Sequence, residues 1–260
     1  MRAKRISEGP SSSRPALPRS ETAETGRGTG WLQAGLEREK AGWIEGAADA
    51  YLTVLLWESR QGQALLGLGR VYFALGEVAQ ASLFLEALLL SEPGHPEGRL
   101  LLGLVRYRQG QDLAAIRLLA RQERPTELRL DQPEARECLG ECHYRRGNYL
   151  NAILTWLPLL EEARCPERIL LSLGAALFHL GRYQGAYAFF RQAVAENPES
   201  AGALNNAAVA CYELGDRAQA RRWLEQSLLC DPALVEAREN LRLLTPETLL
   251  RRAAGGKDRP

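Results

Sequence analysis

Residues 166–198 read PERILLSLGAALFHLGRYQGAYAFFRQAVAENP, and this stretch decides the fold. Large apolar residues recur every three or four positions on both sides of Gly181, which predicts two amphipathic helices joined by a tight turn. Asn197 and Pro198 mark the end of the second helix. Neither helix is large enough to bury its apolar face alone, so each hairpin needs neighbours.

The same pattern recurs along the chain with a nearly constant period. The turn glycine returns at intervals of 34 residues, with one interval of 37 between the third and fourth units. A small residue stands seven positions before each turn glycine and an alanine stands five after it, so the two helices can approach closely. A bulky apolar residue four positions after the alanine is expected to fill the contact. The turn glycines are Gly42, Gly76, Gly110, Gly147, Gly181 and Gly215; the small and bulky residues are Gly35 with Tyr51, Gly69 with Leu85, Gly103 with Leu119, Gly140 with Trp156, Gly174 with Phe190 and Ala208 with Leu224.

These six units resemble the tetratricopeptide repeat family, whose unit is a helix–turn–helix of about 34 residues. The resemblance implies an all-α, right-handed α-solenoid of six repeats with a C-terminal capping helix. Three positions depart from the family pattern, since Arg38, Arg106 and His143 replace a large apolar residue four before the turn glycine. The predicted divisions are a disordered arm at 1–27, repeats at 28–61, 62–95, 96–132, 133–166, 167–200 and 201–234, capping helices at 235–254 and a disordered tail at 255–260.

Several local features qualify this pattern. The three extra residues of the third unit are expected in a loop near 124–133, because an insertion within a helix would rotate its core residues off their face. Pro158 lies inside the second helix of the fourth unit and predicts a kink. We expect Trp31 and Trp57 to pack at the ends of the first unit, and the leucine-rich run at 83–90 to be core throughout.

Composition restricts the class of function. The chain has 33 Lys and Arg against 32 Asp and Glu, and this balance argues against a general binder of nucleic acid or membrane surfaces. Nothing in the sequence has the apolar length of a signal peptide or a membrane span. We therefore expect a cytoplasmic protein without membrane insertion, and the five cysteines are consistent with a reducing compartment.

A possible partner surface follows from the resemblance, because in this family the first helix of each unit lines an inner, concave groove. Five aromatic rings should project inward three positions before the turn glycine, with Glu39 at the same place in the first unit. Two interpretations are open: the rings pack within the repeats, or they form an apolar platform for a guest segment. The rings are Phe73, Tyr107, Tyr144, Phe178 and Tyr212, and Leu104, Leu171 and Val209 are expected beside them.

Charged residues are distributed unevenly over the same surface. Arg70 and Arg108 mark the second and third units, whereas Glu134, Glu137 and Glu141 share one helix face of the fourth. The glutamates form either a solvated face or a site for basic residues of a partner, with the arginines facing acidic ones. Some family members bind chaperone C-termini with a two-carboxylate clamp that needs Lys and Asn, then Lys and Arg, at set inward places. Here those places carry Leu32 and Leu36, then Leu66 and Arg70, so the clamp pattern is missing.

Enzyme and metal functions have little support in the sequence. The three histidines fall in no catalytic pattern, and the glycines follow the repeat rather than a nucleotide-binding loop. Cys138 and Cys142 lie four positions apart in one helix, where they are either packing thiols or the basis of a metal- or redox-responsive regulator. We expect no catalytic residue, no metal and no cofactor.

The sequence therefore predicts a non-catalytic scaffold, adaptor or chaperone that binds a segment of a partner protein in its concave groove. Assembly of a bacterial secretion, envelope or motility complex is a role that the resemblance suggests. The alternative is a self-assembling structural protein that forms homo-oligomers through its terminal repeats.

Overall fold

The computed structural model describes residues 24–57, 61–120, 133–161 and 167–244. Within these ranges the chain forms thirteen α-helices, one short 3-10 helix and no strand. The helices pack as successive hairpins, in agreement with the predicted all-α repeat class. By its contacts the chain divides into two compact units, Met1–His95 and Pro96–Pro260.

The first unit contains two hairpins and the second contains four hairpins followed by one more helix. The helices of the first unit are α1 (Glu24–Lys40), α2 (Ile44–Trp57), α3 (Gly62–Ala74) and α4 (Val78–Ser91). Those of the second unit are α5 (Pro96–Arg108), α6 (Asp112–Leu119), α7 (Pro133–Arg145), α8 (Tyr149–Trp156), the 3-10 helix (Leu157–Glu161), α9 (Glu167–His179), α10 (Tyr183–Glu196), α11 (Ala201–Glu213), α12 (Arg217–Cys230) and α13 (Val235–Leu243).

Each hairpin turns at its predicted glycine. All six turn glycines have φ between 71° and 87°, a region in which a side chain would be strained. At Gly181 the backbone N–H donates to the carbonyl of Phe178 at 2.9 Å, and the next N–H, of Arg182, donates to Leu177 at 2.9 Å. These bonds close the end of α9 and direct the chain into α10.

The close contact between the helices of a hairpin is confirmed. A Cβ built on Gly174 would overlap the ring of Phe190, and one built on Gly140 would overlap the indole of Trp156. Both large side chains are buried, so neither has space to move away. The small residue in the first helix therefore sets the distance at which the second helix packs.

The polar replacement Arg38 is accommodated on the surface of the first hairpin. Its guanidinium lies 4.9 Å from the ring centroid of Trp43 and donates a hydrogen bond of 2.9 Å to the carbonyl of Gly46. Trp31 packs against the core of this hairpin, as expected. Trp57 is exposed instead, so the prediction that it packs at the end of the unit is wrong.

The expectation of a continuous leucine core at 83–90 is also wrong. Leu85 and Leu88 are fully buried, but Leu83 and Leu90 are exposed. The physical reason is helical geometry: an uninterrupted apolar run covers every face of α4, and only one face meets the core.

Pro158 ends a helix rather than kinking one. Helix α8 stops at Trp156, and the chain continues as the 3-10 helix, in which Leu159 is still buried. Proline has no N–H to continue the α-helical ladder, so the tighter turn replaces it.

The ends of the repeats differ from expectation in smaller ways. Helix α1 already begins at Glu24, within the predicted arm. The three extra residues between the third and fourth turn glycines do not lie in α7, because this helix has 13 residues, the same length as α9 and α11. The predicted loop near 124–133 falls almost wholly outside the described residues, as do most of the arm and the segment from 245 onward.

Helix α13 covers the last hairpin, as predicted for a cap. Ala237 is fully buried against Ala208 and Leu224, with Leu241 and Leu244 packed beside them. Across the described ranges, no helix combines the length and the apolar character needed to cross a membrane.

Candidate partner-binding site

A pocket of about 240 Å³ opens on the second unit, lined mainly by the first helices of three successive hairpins. Glu141 and Tyr144 come from α7 and Asn206 from α11, while α9 supplies one wall. We call this site the inner pocket, and its full lining is Glu141, Tyr144, Trp156, Leu171, Ser172, Ala175 and Asn206. Consecutive first helices therefore present polar and apolar groups on one surface.

Three polar side chains of the inner pocket can make directed contacts. Glu141 is half-buried, and among the described residues it forms no ion pair. Burial raises the pKa of Tyr144, and the neighbouring Tyr149 and Glu141 raise it further, so its hydroxyl is a proton donor at neutral pH. Asn206 adds an amide that can donate and accept. The pocket thus offers an acceptor with negative charge, a donor and an amide.

The aromatic residues are held by contacts with other rings, both within a hairpin and between neighbouring hairpins. The ring of Tyr144 lies 5.4 Å from Tyr149 and 5.6 Å from His179, and Phe178 lies 5.1 Å from Tyr183. Of the five predicted rings only Tyr144 lines the inner pocket. Tyr149 and Tyr183, which contact these rings, each stand two positions after a turn glycine. This spacing is visible in the sequence, but it was not used to predict the ring contacts.

The remaining rings also have close neighbours or lie elsewhere. The guanidinium of Arg145 stands 4.7 Å from the ring centroid of Tyr107, and that of Arg217 stands 6.0 Å from Tyr212. Phe73 is half-buried on α3 of the first unit. These contacts favour the packing interpretation for much of the ring area and leave Tyr144 as the ring best placed for a partner.

The arginine predicted for the second repeat is part of an internal network. Arg70 Nε lies 2.7 Å from Glu39 Oε1, and Tyr51 donates to Glu39 Oε2 at 2.7 Å. Burial alone would raise the pKa of Glu39, but the hydrogen bonds from Arg70 and Tyr51 bring it below the ordinary value. Because its charge is compensated, Arg70 is a weaker candidate for a partner contact than the sequence suggested. Arg108 is exposed on α5.

The three glutamates of α7 occupy three different environments. Glu137 forms an ion pair with Arg168, Glu134 is exposed, and Glu141 lines the inner pocket. Their spacing predicts one helix face, but the sequence could not show that Arg168 of the next hairpin would pair with the middle one.

The apolar residues of the predicted surface also separate. Leu104 is 8% exposed and offers almost no area to a partner. Leu171 is half-buried and lines the inner pocket, whereas Val209 and Tyr212 line a second pocket of about 250 Å³ beside α13. Ser172 and Ala175, which the sequence analysis did not single out, complete the wall that α9 contributes.

The cysteine pair of α7 has the properties of packing thiols. Burial raises the pKa of Cys138 to about 11 and that of Cys142 to about 12. Both are therefore protonated at neutral pH, and a protonated thiol is a poor nucleophile and metal ligand. Within the described part of the chain, no three His, Cys, Asp or Glu side chains are grouped as a metal site.

Sequence comparison agrees with this geometry. The family model of the tetratricopeptide repeat matches residues 40–105 and 177–240, which together make up half of the chain. The chain belongs to the tetratricopeptide repeat family. No curated protein matches the sequence of this tetratricopeptide repeat protein.

Solved structures show the same fold at low sequence identity. The C-terminal part of a tetratricopeptide repeat-containing protein from Cytophaga hutchinsonii superposes with a TM-score of 0.62 at 16% identity, covering 87% of this chain and 89% of that one. PilF from Pseudomonas aeruginosa gives 0.61 at 18% identity, covering 83% and 97%. A chain of the APC/C hetero-tetramer Cut9-Hcn1 gives 0.53 at 19% identity; the match covers 84% of this tetratricopeptide repeat protein but only 42% of that chain.

Proposed function

We propose that this tetratricopeptide repeat protein is a non-catalytic scaffold that binds a segment of another protein across the inner pocket. The observation that carries the proposal is the half-buried carboxylate of Glu141, which lines the pocket together with Tyr144 and Asn206. Among the described residues, no lysine or arginine forms an ion pair with it. The pocket, at about 240 Å³, is smaller than the roughly 300–1,000 Å³ of most small-molecule sites. A side chain of a bound segment suits this volume better than a free metabolite.

The lining residues indicate the chemistry of that segment. Glu141 is suited to bind a lysine or arginine of the segment, because a partly buried carboxylate without an ion-pair partner gains more binding free energy from a cation than from a neutral group. Asn206 can pair with a backbone amide, and Leu171 with the Tyr144 ring offers apolar contact to the next side chain. The expected guest is a short segment with a basic residue next to an apolar one.

We further propose that this binding serves an adaptor or chaperone role in the assembly of a multiprotein complex. A bacterial secretion, envelope or motility complex in the cytoplasm is the setting that the repeat architecture suggests. The Cut9-Hcn1 hetero-tetramer offers a precedent, because a chain of this fold is there part of an assembly of two proteins. The likeness to PilF is one of fold and leaves the partner open.

A random peptide display library panned on the full chain tests the inner pocket. The proposal expects recovered peptides enriched in Lys or Arg beside an apolar residue. Their affinity should fall about tenfold or more in Glu141→Gln and in Asn206→Ala, since each change removes a charge-assisted or amide hydrogen bond. Glu199→Gln is the control, because Glu199 is exposed and lies outside the pocket lining. Peptides that bind both pocket variants with wild-type affinity would place the site elsewhere.

A further inference from the structure

The outer face of the first unit carries a regular set of exposed residues. On each second helix, positions 3, 7, 10 and 14 after the turn glycine lie on one side, since they are three or four residues apart. In α2 and α4 all eight of these residues are exposed. We call them the outer stripe of the first unit; they are Glu45, Asp49, Leu52 and Leu56 on α2 and Ala79, Leu83, Glu86 and Leu90 on α4.

Half of the outer stripe is leucine, and these side chains are open to water. Leu56, Leu83 and Leu90 are 82%, 63% and 85% exposed. Leu52 is 37% exposed, and the neighbouring Trp57 is 54% exposed. Large apolar side chains that are this exposed on both helices indicate that another surface covers them.

The fold itself does not need leucine at these positions. In α10 of the second unit, the same four places carry Gln184, Ala188, Arg191 and Ala195. That hairpin packs through its other face, where Ala186 and Phe190 are buried. A hairpin can therefore pack without leucine at these places. Helix α8 also carries exposed leucines there, Leu150 and Leu154, but it has no acids beside them.

Charge identifies what kind of surface fits the stripe. Helices α2 and α4 contain Glu45, Asp49 and Glu86 but no lysine or arginine. The acids stand on the same faces as the leucines, so any partner must bring apolar groups and tolerate or neutralise negative charge. On α6 and α10 of the second unit the sign differs, because Arg117 and Arg191 are the exposed charges at the corresponding positions; α12 carries both signs there, with Arg222 and Glu225.

We propose that the outer stripe of the first unit docks an amphipathic helix of a partner protein, with Lys or Arg flanking an apolar stripe. Such a helix places its apolar side chains on the leucines and its cations beside Glu45 and Asp49. If a second copy of this chain bound through the same face, the twofold axis would place the acidic residues of the two copies close together, and their like charges would repel. An anionic membrane surface would be repelled for the same reason.

Two synthetic helices test the proposal directly. Both are about 20 residues long and share one leucine stripe, but lysines flank it in one and glutamates in the other. Fluorescence anisotropy with the labelled peptides and the full chain should show that the lysine helix binds and that the glutamate helix binds at least about tenfold more weakly. Binding of the lysine helix should weaken as salt is added, because the flanking charges are exposed.

Matched variants separate this surface from general stickiness. Leu56→Ser with Leu83→Ser should weaken the lysine helix about tenfold or more. Glu45→Lys with Asp49→Lys should weaken the lysine helix and strengthen the glutamate helix. The control is Leu150→Ser with Leu154→Ser on α8, which removes leucines that are 61% and 59% exposed from a helix without acids. The control should leave both affinities unchanged.

Four results would overturn the proposal. The first is equal affinity of the protein for the lysine helix and the glutamate helix, and the second is a loss of affinity in the α8 control as large as that in the Leu56 and Leu83 variant. The third is unchanged affinity of the Leu56 and Leu83 variant for the lysine helix, and the fourth is a concentration-dependent dimer in light scattering that this variant abolishes. The last would identify a second copy as the occupant. Thermal unfolding of each variant establishes that its fold is intact. The Glu45 and Asp49 variant keeps every leucine, so its reversed preference between the two helices tests the charges separately from the apolar contact.

Discussion

At the scale of single residues, Glu39 occupies the place where the other five repeats carry an aromatic ring. The carboxylate joins Arg70 of the next hairpin to Tyr51 of its own, so an ionic network replaces a ring contact. Glu39 and Arg70 are both partly buried, at 22% and 30% side-chain exposure, which strengthens their attraction relative to an open surface pair.

Glu39→Gln should lower the free energy of unfolding at pH 7 by about 1–2 kcal/mol, because it removes charge-assisted hydrogen bonds. The pKa of Glu39 is lowered in the folded state, so this contribution is present above the ordinary glutamate pKa of about 4.3 and is lost as the pH falls through the lowered value. Urea unfolding at pH 7 and near pH 3 measures the change. The exposed Glu37→Gln is the control, with an effect within about 0.5 kcal/mol. A difference between wild type and variant that does not vary with pH would contradict this account.

At the scale of the helical hairpin, the contact between a small and a bulky residue is the repeated unit of construction. Five repeats use glycine, and the sixth uses Ala208 against Leu224, both almost fully buried. In this hairpin the packing leaves space for a methyl group opposite leucine, whereas a Cβ added to Gly69 or Gly103 would lie 2.5 Å from the leucine that it faces. Gly174 faces Phe190, whose ring occupies the space that a methyl group would need.

Gly174→Ala should therefore destabilise the protein by about 1–3 kcal/mol through overpacking, although alanine favours helix. Adding Phe190→Leu recreates the pair of the sixth repeat and should restore part of the loss. Gly202→Ala, in α11 with nothing within 4 Å of its added Cβ, should leave stability equal or raise it by up to about 1 kcal/mol. Chemical unfolding of the four proteins checks the ranking, and a Gly174→Ala protein as stable as Gly202→Ala would contradict it.

Sequence reasoning succeeded at this scale where a single period sets the outcome. Turn glycines and the pairing of Gly140 with Trp156 follow from spacing alone, since each is a contact within one hairpin. It failed where a neighbouring hairpin decides: Arg168 neutralises Glu137, and His179 packs on Tyr144. It also failed at Leu83 and Leu90, because an apolar run does not show which of its faces meets the core.

At the scale of the whole molecule, stability is a sum over hairpins and the contacts between them, so the end of the stack needs protection. Helix α13 supplies it through Ala237, which is fully buried against the last hairpin. Ala237→Asp should place an unpaired carboxylate in this contact and release the cap. Hydrogen exchange should then speed up in α11 and α12 more than in α7. Val235→Asp, at an exposed position of the same helix, should leave exchange unchanged, and an effect spread evenly over the second unit would contradict a local cap.

Four of the five intervals between turn glycines are 34 residues long, and this spacing has a consequence for how such a chain can be edited. Removing residues 167–200 as one block takes out α9 and α10 and joins the end of one hairpin to the start of the next in frame. Helix α11 then meets the surface that α9 had packed against. Ala208 of α11 and Leu224 of α12 take the places in the repeat that Gly174 and Phe190 had occupied. A block half that long would leave a first helix unpaired. Length in this protein is thus modular, and whole hairpins are the unit in which it can be gained or lost.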